Sequence, residues 1–408
     1  MAFAAICAAL LTAVASAGTN DIQRGERVMV LGDSITHLGY WTQYLQLFEN
    51  LRHPDSGMRY YNAGVCGATV ESGLVNFRAE VGRIRPNRVL CMFGMNDVHW
   101  CQYTNVSMSA EFKVRADEWL DQYRIGYGKL IDGILASGVK EIVLVTPSPY
   151  DEYSPEGVGD FRRKDVNEYG LRVAAEIVRT IAKERGLPVI DLHSVMTDAC
   201  KRFPEKRLCG KDRVHPARLG NLFMALVCIR EMKKVGSDAG VTLDAEGKVI
   251  CSFGASVSNA RAASDRYSFD YLPTALPVPD IPEYGELKGM FPEFQDFNRE
   301  TLKIVGLHRG KWKLALHYGS AEFSASDLEK GINLAELQTT NRRLANAAAE
   351  SMLALQVFDR LRRDSVACGR PSECAPLDAQ EEMFFSALSV KPVVFHVDLR
   401  QEASLECR

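Results

Sequence analysis

Between Arg27 and about residue 236, short apolar runs of strand character alternate with longer stretches of helical periodicity, and this rhythm narrows the fold more than any other feature. Such alternation is the signature of βαβ units laid into a parallel sheet. Strands are predicted at Arg27 to Gly32, Met58 to Ala63, Arg88 to Phe93, Glu141 to Thr146 and Pro188 to Leu192. Between them, Arg162 to Arg185 sets Val166, Tyr169, Val173, Ile177 and Ile181 at helical spacing, and Leu219 to Met232 reads as a closing helix. With 408 residues, 46% of them hydrophobic, the chain can bury the cores of two domains.

After residue 236 the texture changes to Gly-Ser-Asp-Ala-Gly and then to a proline-rich region. A boundary there separates residues 18–236 from an accessory C-terminal region, 237–408, expected to be α+β. Trp312, Leu314, Leu316 and Tyr318 alternate with Lys313, Ala315 and His317, the period of a half-buried strand. Leu302 to Leu307, with a turn at His308 to Lys311, would complete a hairpin with it. Leu344, Ala348, Met352, Leu355, Phe358 and Leu361 share one helical face.

Residues 1–17 carry no charge and end in Ala15-Ser16-Ala17, the small-x-small pattern of a cleaved signal peptide, so export is expected. No later stretch reaches the roughly 20 apolar residues that cross a bilayer, so stable membrane insertion is not expected. The formal net charge of −3 offers no basic field for nucleic acid. In an oxidising compartment some cysteines should pair, with Cys200 and Cys209, or Cys368 and Cys374, nearest in sequence. Cys91 and Cys228, inside apolar runs, read as buried thiols. No CxxC pair or zinc-like spacing is present, so neither metal nor cofactor is expected.

Four strings carry chemistry. Val28 to Thr36 is an apolar strand ending in Gly32-Asp33-Ser34, which sets a hydroxyl at the carboxyl edge where open α/β sheets bind ligands. Ser34 could equally cap the helix that follows. Asn62 to Thr69 follows the second strand and contains Gly64 and Gly67, either a turn or a close backbone approach to a ligand. Gly94-Met95-Asn96-Asp97 follows the third, where Asn96 offers a neutral donor to a developing oxyanion, or else a turn-forming pair with Asp97. Asp212-Arg213-Val214-His215-Pro216 supplies a carboxylate and an imidazole; a serine hydroxyl attacks poorly until such a base takes its proton. Asp191-Leu192-His193 is a rival pair, whose one-residue spacing does not turn the two side chains toward each other.

In this order the four strings resemble the SGNH, or GDSL-like, hydrolase superfamily over roughly residues 27 to 235. Gly32 to Ile35 is similar to its first block, Gly67 to its second, Gly94 to Asp97 to its third and Asp212 to Pro216 to its fifth; Met95 stands where threonine is common. The resemblance implies a flavodoxin-like three-layer α/β/α sandwich with a five-stranded parallel sheet. It also implies Ser34 as nucleophile, His215 as base, Asp212 as its orienter, and an oxyanion hole from Ser34, Gly67 and Asn96. The expected substrate is a small-molecule or polysaccharide ester, acetyl groups on carbohydrate first, with lipid esters or thioesters as the same-class alternative. A catalytically silent carbohydrate-binding or scaffold protein is the alternative from another class. His37, Tyr40, Trp41, His99, Trp100 and Tyr103 offer aromatic and polar surface for a sugar ring, or simply packing.

Overall fold

The computed structural model describes residues 25–38, 40–103, 108–155, 163–232, 239–316, 319–337, 340–354, 364 and 390–401. The signal-peptide candidate, the change of texture at 236 and the pair Cys368 and Cys374 lie outside the described residues.

Five strands, β1 (Arg27–Gly32), β2 (Arg59–Gly64), β3 (Arg88–Met92), β4 (Glu141–Val145) and β5 (Val189–Ile190), form one all-parallel sheet in the order β2-β1-β3-β4-β5. That order is flavodoxin-like, and it reverses direction between β1 and β3, the switch point where such sheets bind ligands. Strand β1 lies between two neighbours, and its Val28, Met29, Val30 and Leu31 are fully buried. A strand covered on both faces needs a continuous apolar run of this kind. At the opposite, amino-terminal edge, buried Arg88 is held by Glu26 at 3.1 Å and by Glu141.

Between these strands run α1 (Ser34–Leu38), α2 (Trp41–Arg52), α3 (Val70–Ile84), α4 (Ala110–Ala136) and α5 (Arg172–Arg185), with α6 (Leu192–Arg202) and α7 (Arg218–Met232) after β5. Local chemistry sets their starts. Thr69 and Ser72 cap each other reciprocally at α3, Ser109 caps α4 and Asp191 caps α6. Gly186, at φ +64°, stops α5. The helix expected over 162–185 opens with a π turn, Val166–Leu171, and its buried face is Ala174, Ala175, Val178, Ile181 and Ala182. The extra residue in that turn rotates the later residues, leaving Val173 and Ile177 only half-buried.

The chain divides into two compact units that interleave in sequence. One draws on described residues within 1–37, 58–216 and 227–234; the other on those within 38–57, 217–226 and 235–408. The second unit contains β6 (Ala239–Leu243), β7 (Val249–Phe253), β8 (Ala255–Ala263), β9 (Arg266–Pro273), α8 (Pro282–Met290), β10 (Glu300–Ile304), β11 (Lys311–Leu316), β12 (Gly319–Ser324), α9 (Ala325–Lys330), β13 (Ile332–Asn333), α10 (Thr340–Ala354) and β14 (Phe395–Gln401). Its strands build a four-stranded sheet, β13-β10-β6-β7, and a five-stranded one, β12-β11-β14-β9-β8.

Val241, Leu302 and Ile304 from the first of these sheets and Phe269, Trp312, Leu314 and Val397 from the second share one buried apolar cluster. Alternation is plain in β9, where Tyr267, Phe269, Tyr271 and Pro273 turn inward. The expected hairpin of Leu302 to Leu307 with Trp312 to Tyr318 does not form. β10 pairs with β6 and β13, while β11 pairs with β12 and β14. Gly306 and Gly310, at φ +81° and +140°, flank the turn that carries the chain from one sheet to the other. Of the apolar helical stripe, Ala348 is buried and Leu344 half-buried; the side chains from 352 onward lie outside the described residues.

Candidate active site

Because β2, β1 and β3 are adjacent, the loops after them emerge side by side, and they carry Gly67, Ser34 and Asn96 respectively. Ser34 is not the cap of α1. That task falls to Asp33, whose Oδ1 accepts from the Ile35 N–H at 2.9 Å while its carbonyl accepts from the His37 N–H. Ser34 Oγ is thereby free to face His215, and lies 2.8 Å from its Nε2.

On the other side of the ring, His215 Nδ1 is 2.5 Å from Asp212 Oδ2, and Asp212 Oδ1 accepts from the backbone N–H groups of Val214 and His215. These partners assign the proton to Nδ1 and leave Nε2 as the acceptor facing the serine. The hydrogen bond that His215 donates to Asp212 raises the His215 pKa above its ordinary 6.5, against partial burial, with the Asp212 and Asp33 charges adding to the rise. Burial pushes Asp212 upward, but the bonds it accepts outweigh that and hold its carboxyl below the usual value.

Asn96 donates one amide N–H to Ala68 O at 3.0 Å, which ties the third loop to the second, and the amide carries a second N–H. Asp97 accepts from the Val70 N–H at 2.8 Å and so fixes the start of α3. Gly67 has φ +73° and open space where a side chain would stand. Gly64 is the opposite case: a Cβ there would lie 2.3 Å from the His37 backbone N. It is a packing glycine, seated by Asn62, which bonds both its N–H and Thr36 O. Gly94, at φ +143°, clears Pro147, which an added Cβ would meet at 2.8 Å.

Two buried carboxyls lie beneath this constellation. Burial lifts Asp33 to about 6, against the Ile35 N–H and the His215 charge. Burial also lifts Asp97 to about 7, against the Val70 N–H and with the Asp33 charge adding to the rise.

The rival pair does not assemble. Asp191 caps α6 and binds Arg179, while burial lowers His193 to about 4. Of the six residues considered for a sugar surface, His37, Trp41 and Tyr103 are buried and Tyr40 is half-buried. His99 is exposed and Trp100 half-exposed; Trp100 stacks on Tyr150 at 6.3 Å, and the Arg163 guanidinium lies over the Trp100 ring at 5.4 Å.

Sequence reasoning missed the support of the His215 loop. Arg213, buried and at φ +65°, donates to Asp151 O at 2.8 Å, and its own carbonyl accepts from the Asp151 N–H at 2.8 Å. Asn167, from the π turn, bonds both backbone groups of Tyr150. An arginine between Asp212 and His215 carries no local signal of burial, because its partners are 62 residues away.

Residues 30–222 match the GDSL-like Lipase/Acylhydrolase family. An acetylxylan esterase from Geobacillus stearothermophilus is 28% identical over 226 residues, 52% of this chain and 95% of the relative. A crystal structure of that kind of esterase from the same organism covers 52% of this chain and 96% of its own at 28% identity, with a TM-score of 0.38. The structure of a gut microbial diltiazem-metabolizing enzyme, 23% identical, covers 93% of this chain and 98% of its own with a TM-score of 0.76, and so shares the fold over nearly the whole length. Residues 30–222 are a GDSL-like lipase/acylhydrolase domain of the SGNH type, and the chain that carries them is an ester-bond hydrolase.

Proposed function

We propose that this hydrolase is a serine esterase that removes acyl groups, acetate foremost, from carbohydrate through an acyl-enzyme. The observation that carries the reading is the continuous contact from Ser34 Oγ through the His215 ring to Asp212. Ser34 Oγ bonds to the ester carbon as its proton passes to His215 Nε2, and the protonated ring gives that proton to the departing sugar oxygen. Water then repeats the sequence: His215 takes its proton as the water oxygen bonds to the acyl carbon, the ring returns that proton to Ser34 Oγ as the Ser34 ester bond breaks, and the acid leaves. The negative oxygen of each tetrahedral intermediate is received by the Ser34 and Gly67 N–H groups and the Asn96 amide. One such donor is typically worth about 10² to 10³ in kcat.

The carbohydrate part of the reading is supported by the acetylxylan esterase relative, and export by the uncharged residues 1–17 with their Ala15-Ser16-Ala17 ending. A fluorophosphonate probe should give a single adduct on Ser34 that is lost in His215→Ala, and acetylated oligosaccharides should release acetate with the native chain but not with Ser34→Ala. A folded chain that stays unlabelled and releases nothing sinks the proposal. Faster turnover of long-chain lipid esters than of acetylated sugars would keep the serine chemistry and replace the substrate.

A further inference from the structure

We propose that Cys200 and Cys209 form a disulfide that pins the segment bearing Asp212 and His215. Cys200 sits in the last turn of α6, and Cys209 lies three positions before Asp212. Between them a short 3-10 turn, Pro204–Lys206, and a left-handed position, Arg207, double the chain back. The two thiols are buried side by side, and their sulfurs, together with an oxygen of Asp151, lie within 4.8 Å of one another. A disulfide would draw these two sulfurs together to ~2.05 Å.

A metal ion is the competing occupant of this cluster. Its third ligand, however, is already committed: Asp151 Oδ1 accepts from the Tyr153 and Ser154 N–H groups and Oδ2 from Ser154 Oγ at 2.6 Å. The buried Arg213 guanidinium, on Asp151 O, places a fixed positive charge beside the same residue. A disulfide is uncharged and asks nothing of Asp151.

The chemistry needs a disulfide oxidant of the glutathione class. One cysteine, as thiolate, attacks glutathione disulfide, forming a mixed disulfide and expelling one glutathione. The second attacks the protein sulfur of that bond, so that the Cys200–Cys209 bond forms and the second glutathione leaves. Two electrons pass to the oxidant and the two thiol protons end on the two glutathiones. The contact with Cys200 and burial hold the Cys209 proton in place well above the ordinary range, so the exchange belongs to the folding chain or to a locally opened loop.

The full chain is treated with glutathione disulfide in two ways, as folded and during refolding from urea, then denatured, alkylated and cut with trypsin. Cleavage after Lys201 and Arg207 separates the two cysteines. Peptides 186–201 and 208–211 are expected joined, two hydrogens lighter than their sum. The oxidised chain should also melt on the order of 5 °C above the reduced one, a difference absent in Cys200→Ser. Alkyl groups on both cysteines after both treatments overturn the proposal, as does zinc that co-purifies and protects both thiols until chelated. The readout is a covalent bond, so it stands or falls apart from the esterase reading.

Discussion

Asp212 holds His215 twice, by the backbone through Oδ1 and by the ring through Oδ2, so the imidazole is fixed in both position and tautomer by a residue three places away. The electrostatic result is a raised His215 pKa. The imidazole accepts a proton only when neutral, so kcat/KM should fall as pH drops, with the midpoint above the ordinary value of about 6.5. In Asp212→Asn the midpoint should move down and kcat/KM should fall by up to about 10⁴, as expected when a ring loses its orienting carboxylate. A pH–rate profile of both forms checks this; an acid limb that stays put in the variant would remove Asp212 from the mechanism. Ser34, Asp212 and His215, whose side chains meet in the structure, were legible as candidates, because each follows a recognisable strand end or block. Arg213 was not, since its role depends on Asp151, which only folding brings near.

At the level of elements, three adjacent strand ends do the positioning, and two glycines, Gly64 at the end of β2 and Gly67 in the loop after it, sit in opposite surroundings, one packed and one open. Gly64→Ala drives a Cβ into the α1 backbone, and should cost at least the ~1–3 kcal/mol of an overpacked core. Gly67→Ala meets no atoms and should cost only the ~1–2 kcal/mol of a left-handed residue, with a larger loss in kcat than in stability. Urea unfolding together with acetate release separates the two; equal stability losses would erase the distinction. Four of the five strands of the first sheet were readable to within about a residue at each end; the fifth, expected over Pro188 to Leu192, is only Val189–Ile190, because Asp191 caps α6 and Leu192 already belongs to it. The pairing of β10 and β11 was not readable, because an alternating strand fixes which face is buried and leaves its partner open.

For the molecule as a whole, stability should depend on pH through groups under the site. Asp33 and Asp97 have folded pKa values of about 6 and about 7 against 3.8 when unperturbed, so the folded chain binds more protons than the unfolded one between those values. By linkage, their penalty is absent below about 3.8 and grows as pH rises to about 7. His215, also raised, adds to the same trend: its contribution is present below about 6.5 and fades as pH rises through its folded value. The urea midpoint should therefore fall from pH 5 to pH 8. Asp97→Asn keeps an acceptor for the Val70 N–H and should flatten that fall, gaining on the order of a few kcal/mol at pH 8. A variant with the native pH slope would show that Asp97 is not the source.

The sequence by itself determined the five-stranded sheet, the order of its strings and the side chains able to act, because periodicity and loop chemistry are local. Tertiary structure alone decided that Ser34 meets His215 across 181 positions, that residues 38–57 and 217–226 join the C-terminal unit, and that the later strands split between two sheets. Each of these depends on which distant surface a segment buries, and a hydrophobic pattern states that a face must be covered without naming its cover.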